Sequence, residues 1–187
     1  MKWSRSLVIA LLLLIPPGLA AVVDISRQQP RRFAEVIPGR LYRGGLPTGE
    51  QIRWLHRRHH IRTVISLTDD VDKPRYNEAL RAVESAGLRF LRFPMPGDGC
   101  AELGDLDRAA DALGSSDLWP IFFHCAAGKQ RSNAVLAAYR MKHEGWTLAE
   151  ALAELERDYD LDRRAEGGLV ERLAEYDRWL TVGPGRR

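Results

Sequence analysis

The stretch Ile121-Phe122-Phe123-His124-Cys125-Ala126-Ala127-Gly128-Lys129-Gln130-Arg131-Ser132 constrains this chain more than any other. A short apolar run ends in histidine and cysteine, a loop of small residues with one glycine follows, and helical patterning runs from Ser132 to His143. A strand passing through such a loop into a helix turns the loop amides and the helix's first unpaired N–H groups toward one point. Cys125 lies at the bottom of that nest. Positive potential there favours thiolate over thiol, and a cysteine whose free pKa is about 8.5 can fall to roughly 3.5–7.5. Arg131 closes the ring with a planar fork suited to two oxygens of a tetrahedral anion. The stretch therefore combines a nucleophile, an anion cradle and a charge clamp.

Two other readings of the stretch compete. A nucleotide-binding loop would need Ser or Thr after Lys129 and a glycine five positions before Gly128; Gln130 and Phe123 occupy those places. A buried, inert cysteine at a strand end is the plainer alternative, since free cysteines often serve only as small core residues. It leaves the joint placement of Cys125, Gly128 and Arg131 without a reason. The histidines at His56, His59 and His60 suggest a metal site only superficially: no cysteine or carboxylate completes the set nearby, and a basic helix end complements the helix dipole. No metal and no cofactor are expected.

Along the chain, Pro38-Gly39 and Gly44-Gly45-Leu46-Pro47 read as turns around a short strand from Arg40 to Arg43. Thr48-Gly-Glu-Gln51 is a capping box that predicts a helix from Gly49 to about Arg57. Ile61 to Leu67 reads as a buried strand, with Thr68-Asp69-Asp70 as a loop at its end. A helix opens at Pro74, reaches Ala86 and stops at Gly87. Leu88 to Phe93 is a further strand, Pro94 to Gly104 a loop, and Asp105 to Leu113 a helix. Trp119 to His124 is the central strand. Thr147-Leu-Ala-Glu150 is a second capping box, whose helix ends near Tyr159. The last helix spans Gly168 to Leu180, with Leu169, Leu173, Tyr176 and Leu180 on one face. Alternating strands and helices predict an α/β fold, a mostly parallel central sheet flanked by helices. Ligands in such sheets bind beyond the carboxyl ends of the strands, which places Cys125, the Asp69–Asp70 loop and the Pro94–Gly104 loop at one rim.

A chain of 187 residues, 45% hydrophobic and 28% charged, suits one soluble domain plus a leader. The formal net charge of +3 includes Lys2 and Arg5 of that leader. Basic residues nowhere form a run interleaved with aromatics, so no nucleic-acid partner is expected. Lys2 and Arg5 precede an uncharged apolar core from Leu7 to Ile15, Pro16-Pro17-Gly18 breaks it, and Leu19-Ala20-Ala21 offers a cleavage site. The run is short against the about 20 residues that span a bilayer. The expected division is a signal peptide or membrane anchor at 1–21, a loose arginine-rich linker at 22–32, one domain at 33–181 and a tail at 182–187. The product is then either exported, to a periplasmic or extracellular space, or anchored in the membrane through residues 7–23. Arg27, Arg31 and Arg32 follow the apolar segment, so charge bias does not fix its orientation.

His124-Cys125-Ala126-Ala127-Gly128-Lys129-Gln130-Arg131-Ser132 resembles the H-C-x-x-G-x-x-R-[ST] loop of the cysteine-dependent tyrosine and dual-specificity phosphatases. Val36 to Pro47, V-I-P-G-R-L-Y-R-G-G-L-P, is similar to the leading segment of their compact branch, which includes bacterial members. The resemblance spans roughly Phe33 to Tyr176 and implies a dual-specificity-phosphatase-like fold. It implies that Cys125 attacks phosphorus to form a phosphocysteine that water then hydrolyses, a loose reaction governed by positioning and charge. Arg131 and the amides of Ala126, Ala127, Gly128, Lys129 and Gln130 would hold the phosphoryl oxygens. Gly128 would take a backbone conformation other residues resist. Ser132 would donate to the sulfur, standing otherwise as a plain helix-start residue. His124 would orient the loop rather than move protons, or be simply a satisfied strand-end histidine.

The family draws its general acid from an aspartate on a loop one strand earlier. Asp98, in Pro94-Met-Pro-Gly-Asp98-Gly, is the preferred residue; Gly-Asp-Gly is also good turn chemistry. Asp105 competes, but occupies an expected helix N-cap. Lys129 resembles the lysine of lipid- and inositol-phosphate branches and could attract a second phosphate, or simply face solvent. Cys100 could form a reversible disulfide with Cys125 if their Cα atoms lie within about 7 Å. The expected substrate is a phosphoprotein, with phosphotyrosine foremost, or a polyphosphorylated inositol or lipid. A catalytically silent phospho-ligand module and a sulfur-transfer domain are the other function classes. The first would normally lack Cys125 or Arg131, and the second leaves their spacing unexplained.

Overall fold

A computed structural model describes residues 28–68 and 71–182. The segment read as a leader, Asp69–Asp70 and residues 183–187 lie outside the described residues. Five strands form one sheet: β1 (Ala34–Ile37), β2 (Leu41–Gly44), β3 (Thr63–Ser66), β4 (Arg89–Arg92) and β5 (Ile121–His124). Their order is β1-β2-β5-β3-β4; β1 runs antiparallel to β2 and every other pair is parallel. Among the described residues six α-helices accompany them: α1 (Gly49–His59), α2 (Pro74–Ser85), α3 (Leu103–Gly114), α4 (Gln130–His143), α5 (Leu148–Asp158) and α6 (Gly167–Val182). This is the expected α/β fold, with β5 central.

The period of two along each strand divides the sheet between two cores. Phe122, Val64 and Tyr42 point to the side of α1 and α2. Leu41, Ile65, Ile121 and Phe123 point to the larger side, with α3, α4, α5 and α6. Phe122 and Phe123 are fully buried, and burial of such a side chain contributes about 1.5–3 kcal/mol. Helix α4 is covered almost all round, with Ala134 to Ala138 fully buried, as expected of a helix with no polar face. Its far end is locked to α5 by Arg140, whose guanidinium bonds Glu154 at 2.9 and 2.5 Å and lies 4.6 Å from the Trp146 ring centre. Both capping boxes form, at Thr48/Gln51 and Thr147/Glu150.

Beyond shifts of one or two residues at element ends, three differences from the expectations stand out. Residues 34–37, not assigned as a strand, pair with β2 as an antiparallel edge. Helix α3 starts at Leu103 with Glu102 as its cap, which places Asp105 inside the first turn rather than at the cap. The end of the stretch read as a loose linker is docked: the Arg31 carbonyl accepts from the Gly45 amide at 2.7 Å and the Gln29 carbonyl from Gln51 Nε2 at 2.8 Å. Unsatisfied polar groups on the domain supply the reason; once buried, backbone donors need partners. Among the described residues, no helix is long and apolar enough to cross a membrane.

Candidate active site

β5 delivers Cys125 to the carboxyl edge of the sheet, and α4 begins at Gln130, two residues earlier than its apolar pattern suggests. Three consecutive carbonyls of the loop between them are pulled outward. Ala126 O accepts from the Leu46 amide at 3.1 Å, Ala127 O from Arg32 Nη1 at 3.2 Å, and Gly128 O from Arg43 Nη2 at 3.1 Å. In a trans peptide the C=O and the next N–H point in opposite directions, so the amides of Ala127, Gly128 and Lys129 turn inward. The Gly128 amide reaches the Cys125 sulfur at 3.2 Å. Such a bend needs φ of +70° at Gly128, and a Cβ there would stand 2.6 Å from Gly44 C and from Gly45 N. Glycine is required on both counts. Gly45, in the turn after β2, permits the same close approach from the other side: a Cβ there would lie 3.2 Å from the Ala126 carbonyl oxygen.

The electrostatics of the sulfur follow. Burial acts to raise the Cys125 pKa, but the Ser132 hydroxyl, the amides of Lys129 and Ser132 and the Arg131 charge outweigh it, and the thiol sits below its ordinary value. Hydrogen bonds and positive charge favour the anion. Arg131 is itself nearly buried, with Nη1 against the Met95 carbonyl at 3.4 Å. His124 is buried, stacks on Phe122 at 5.8 Å and sets Nδ1 3.3 Å from the Cys125 carbonyl. Burial pushes its imidazole down to about 4, leaving it neutral at neutral pH. That state suits orienting the strand end rather than carrying charge.

A cavity of about 580 Å³ opens beside the loop, lined by Ala126, Arg131, Pro94, Pro96, Gly97 and Lys73. Asp98 directly follows that wall, is exposed, and accepts from the Cys100 amide at 2.9 Å. Its loop docks on the start of α4: a Cβ on Gly99 would lie 3.0 Å from the Gln130 carbonyl. Asp105 is turned to Arg108 within α3 and does not line the cavity. Lys129 does not point its charge into the cavity either; its ammonium pairs with Glu166 at 2.7 Å. Cys100 and Cys125 are both free thiols, and burial pushes Cys100 upward, away from reactive thiolate. His56 faces the Ile61 carbonyl at 2.9 Å, and His59 packs among Phe33, Tyr42 and Trp54.

Arg43, Asn133 and Tyr159 escaped the sequence reading. Arg43 lies on the same face of β2 as Leu41, so its charge is carried into the core, where it is 1% exposed. Besides Gly128 O it bonds Asn133 Oδ1 at 2.7 Å and lies 4.1 Å from the Tyr159 ring centre. Asn133 Nδ2 in turn donates to Tyr159 O at 3.2 Å. Burial lowers Arg43 to about 10, which leaves it charged at neutral pH. The available signal was an arginine in phase with a core leucine on a central strand, a placement that demands buried acceptors. Lys73 also went unremarked, hidden next to the Asp69–Asp70 loop.

A family model described as "DSP-PTPase phosphatase fused to NAD+ Kinase" matches residues 15–167. The inositol diphosphatase SIW14 of Saccharomyces cerevisiae is 23% identical over 166 residues, 82% of this chain and 57% of that protein. The dual specificity protein phosphatase TpbA of Pseudomonas aeruginosa is 26% identical over 117 residues, 63% of this chain and 50% of that protein. The chain thus spans about half the length of these curated relatives. The crystal structure of PTPMT1 superposes with a TM-score of 0.67 at 21% identity, covering 80% of this chain and 96% of that one, and supports the fold.

Proposed function

The chain belongs to the DSP-PTPase phosphatase family, and on that premise we propose that it hydrolyses phosphomonoesters through a phosphocysteine, without a metal. The observation that carries this reading is the loop itself: three carbonyls held outward, the amides that follow them turned inward, that of Gly128 on the Cys125 sulfur, with Arg131 at the cavity wall.

The ester phosphate enters with its oxygens on the inward amides and the Arg131 fork. The Cys125 thiolate forms the S–P bond as the bond from phosphorus to the leaving oxygen breaks. Asp98 gives its proton to that oxygen. Water then attacks phosphorus, Asp98 takes up its proton, and the S–P bond breaks to return the thiolate, which the Ser132 hydroxyl stabilises. Amides, guanidinium and hydroxyl supply the charge stabilisation that phosphoryl transfer needs. Asp98 is favoured over Asp105 because it directly follows the cavity wall, whereas Asp105 is engaged by Arg108. Asp98→Asn is expected to lower kcat on alkyl phosphates about 10²–10⁴-fold and far less on p-nitrophenyl phosphate, whose leaving group needs no proton. Equal losses on both esters would remove Asp98 from the role.

The names of the relatives support two substrate groups, phosphoproteins and inositol phosphates. Turnover of p-nitrophenyl phosphate in excess chelator tests the proposal; a silent phospho-ligand module would bind phosphate and release none. We also propose that residues 1–21 direct export or membrane attachment, on the charge and apolar pattern of that segment. Digestion of the domain by protease added to intact cells, or once only the outer envelope is opened, supports export across the membrane, and digestion only after lysis of the inner compartment opposes it.

A further inference from the structure

Glu166 reaches the reactive loop from the turn that precedes α6. Its Oε1 lies 2.7 Å from Lys129 Nζ, with the glutamate side chain 5% exposed and the lysine 29%. The carboxylate is the fixed partner. Glu166 N donates to the Asp162 carbonyl at 2.8 Å, and the Glu166 carbonyl accepts from the amides of Leu169 and Val170 at 3.0 and 3.2 Å. The Asp162 amide also approaches Oε1, at 3.4 Å. The second carboxylate oxygen, Oε2, is buried with no hydrogen-bond partner among the described residues. A buried carboxylate so sparsely satisfied depends strongly on its one cation. Lys129 is the movable member, on a flexible stem, and it is drawn to the side of the loop rather than into the cavity.

The consequence concerns charge at the mouth of the site. Lys129 is the one lysine within the loop that holds the reacting phosphate, yet with Glu166 it adds no net charge. A second phosphate arriving on that side meets a neutralised ammonium backed by a buried anion, while Lys73 lines the cavity elsewhere. We infer that Glu166 is a specificity-determining residue: by cancelling Lys129 it sets this site for esters that present a single phosphate, such as phosphotyrosine, over polyphosphorylated ligands. The inference rests on the proposed phosphatase reading and narrows its substrate.

The test compares inositol hexakisphosphate with inorganic phosphate as competitive inhibitors of p-nitrophenyl phosphate hydrolysis. Glu166→Gln keeps the shape of the side chain and removes its charge. It is expected to tighten the polyphosphate's inhibition constant about tenfold relative to that of inorganic phosphate, with the gain lost in the double variant Glu166→Gln, Lys129→Met. Glu166→Met, an apolar replacement of similar volume that leaves no buried oxygen unpaired, is expected to act in the same direction and covers a failure of the glutamine variant to fold. A ratio unchanged within twofold in whichever variant folds, or a gain that survives loss of Lys129, overturns the inference. Calorimetric titration of the same two ligands into each protein reads the ratio without turnover. A protein that hydrolyses nothing yet shows the Glu166-dependent ratio contradicts the phosphatase reading alone.

Discussion

Cys125→Ser is expected to lower kcat on p-nitrophenyl phosphate by at least about 10⁴-fold, on the order of 5.5 kcal/mol of barrier, while inorganic phosphate still binds. The nest around residue 125 stabilises an anion that a thiol can provide near neutral pH and a serine hydroxyl cannot. The Gly128 amide, the Ser132 hydroxyl and Arg131 remain in place, so the variant keeps the cradle and loses the nucleophile. Steady-state turnover measures the first effect and calorimetric titration of phosphate the second. Mass spectrometry of acid-quenched wild-type protein should find one phosphoryl group on Cys125 during turnover. Substantial activity in the serine variant would assign the chemistry to another group.

Gly128→Ala is the second large effect, because it acts on shape rather than chemistry. An alanine there must hold φ near +70° and place its Cβ 2.6 Å from two backbone atoms of the Gly44–Gly45 turn. The positive φ costs about 1–3 kcal/mol, and the contact forces the loop away from β2. A displacement on the order of 1 Å at a positioned reactive group costs about 10² in rate. The expected result is a lowered melting temperature together with a loss in kcat/KM of about 10²-fold or more. Gly145→Ala is the control: it shares φ of +70° but has nothing within 4 Å of its Cβ. It should lose stability and keep its activity. Equal activity loss in both variants would mean that general destabilisation, not loop geometry, governs the rate.

The reactive loop and the two capping boxes were legible in the sequence because their interactions are local. Thr48 meets Gln51 and Thr147 meets Glu150 across one helical turn, and Cys125 meets the Gly128 amide within a single loop. What holds that loop is distant in the chain. Arg43 reaches Gly128 and Asn133, and Arg32 reaches Ala127; nothing in the spacing of those residues announces the pairing. The leading V-I-P-G-R-L-Y-R-G-G-L-P segment was noticed as lettering, and its physical work became visible only when β2 was placed beside β5. Lys129 shows the same limit from another side. Its position in the loop suggested an open cation, while its partner Glu166 lies two helices further on, beyond α4 and α5. Asp105 read as a cap because aspartate favours that role, but Glu102 starts the helix one turn earlier, with no side-chain cap bond.

The anion-stabilising nest around the Cys125 sulfur is what the whole proposal stands on, and titration of that thiol is the most direct measurement. With a lowered pKa, the reactive thiolate persists to lower pH than that of an ordinary thiol and is lost as pH falls through that pKa, so alkylation by iodoacetate should slow on the acid side of it. The titration is best done in a Cys100→Ser background, since burial raises the other thiol. A midpoint below the ordinary value of about 8.5, moving upward in Ser132→Ala, is the predicted result. A midpoint at or above the ordinary value, indifferent to Ser132, would contradict it.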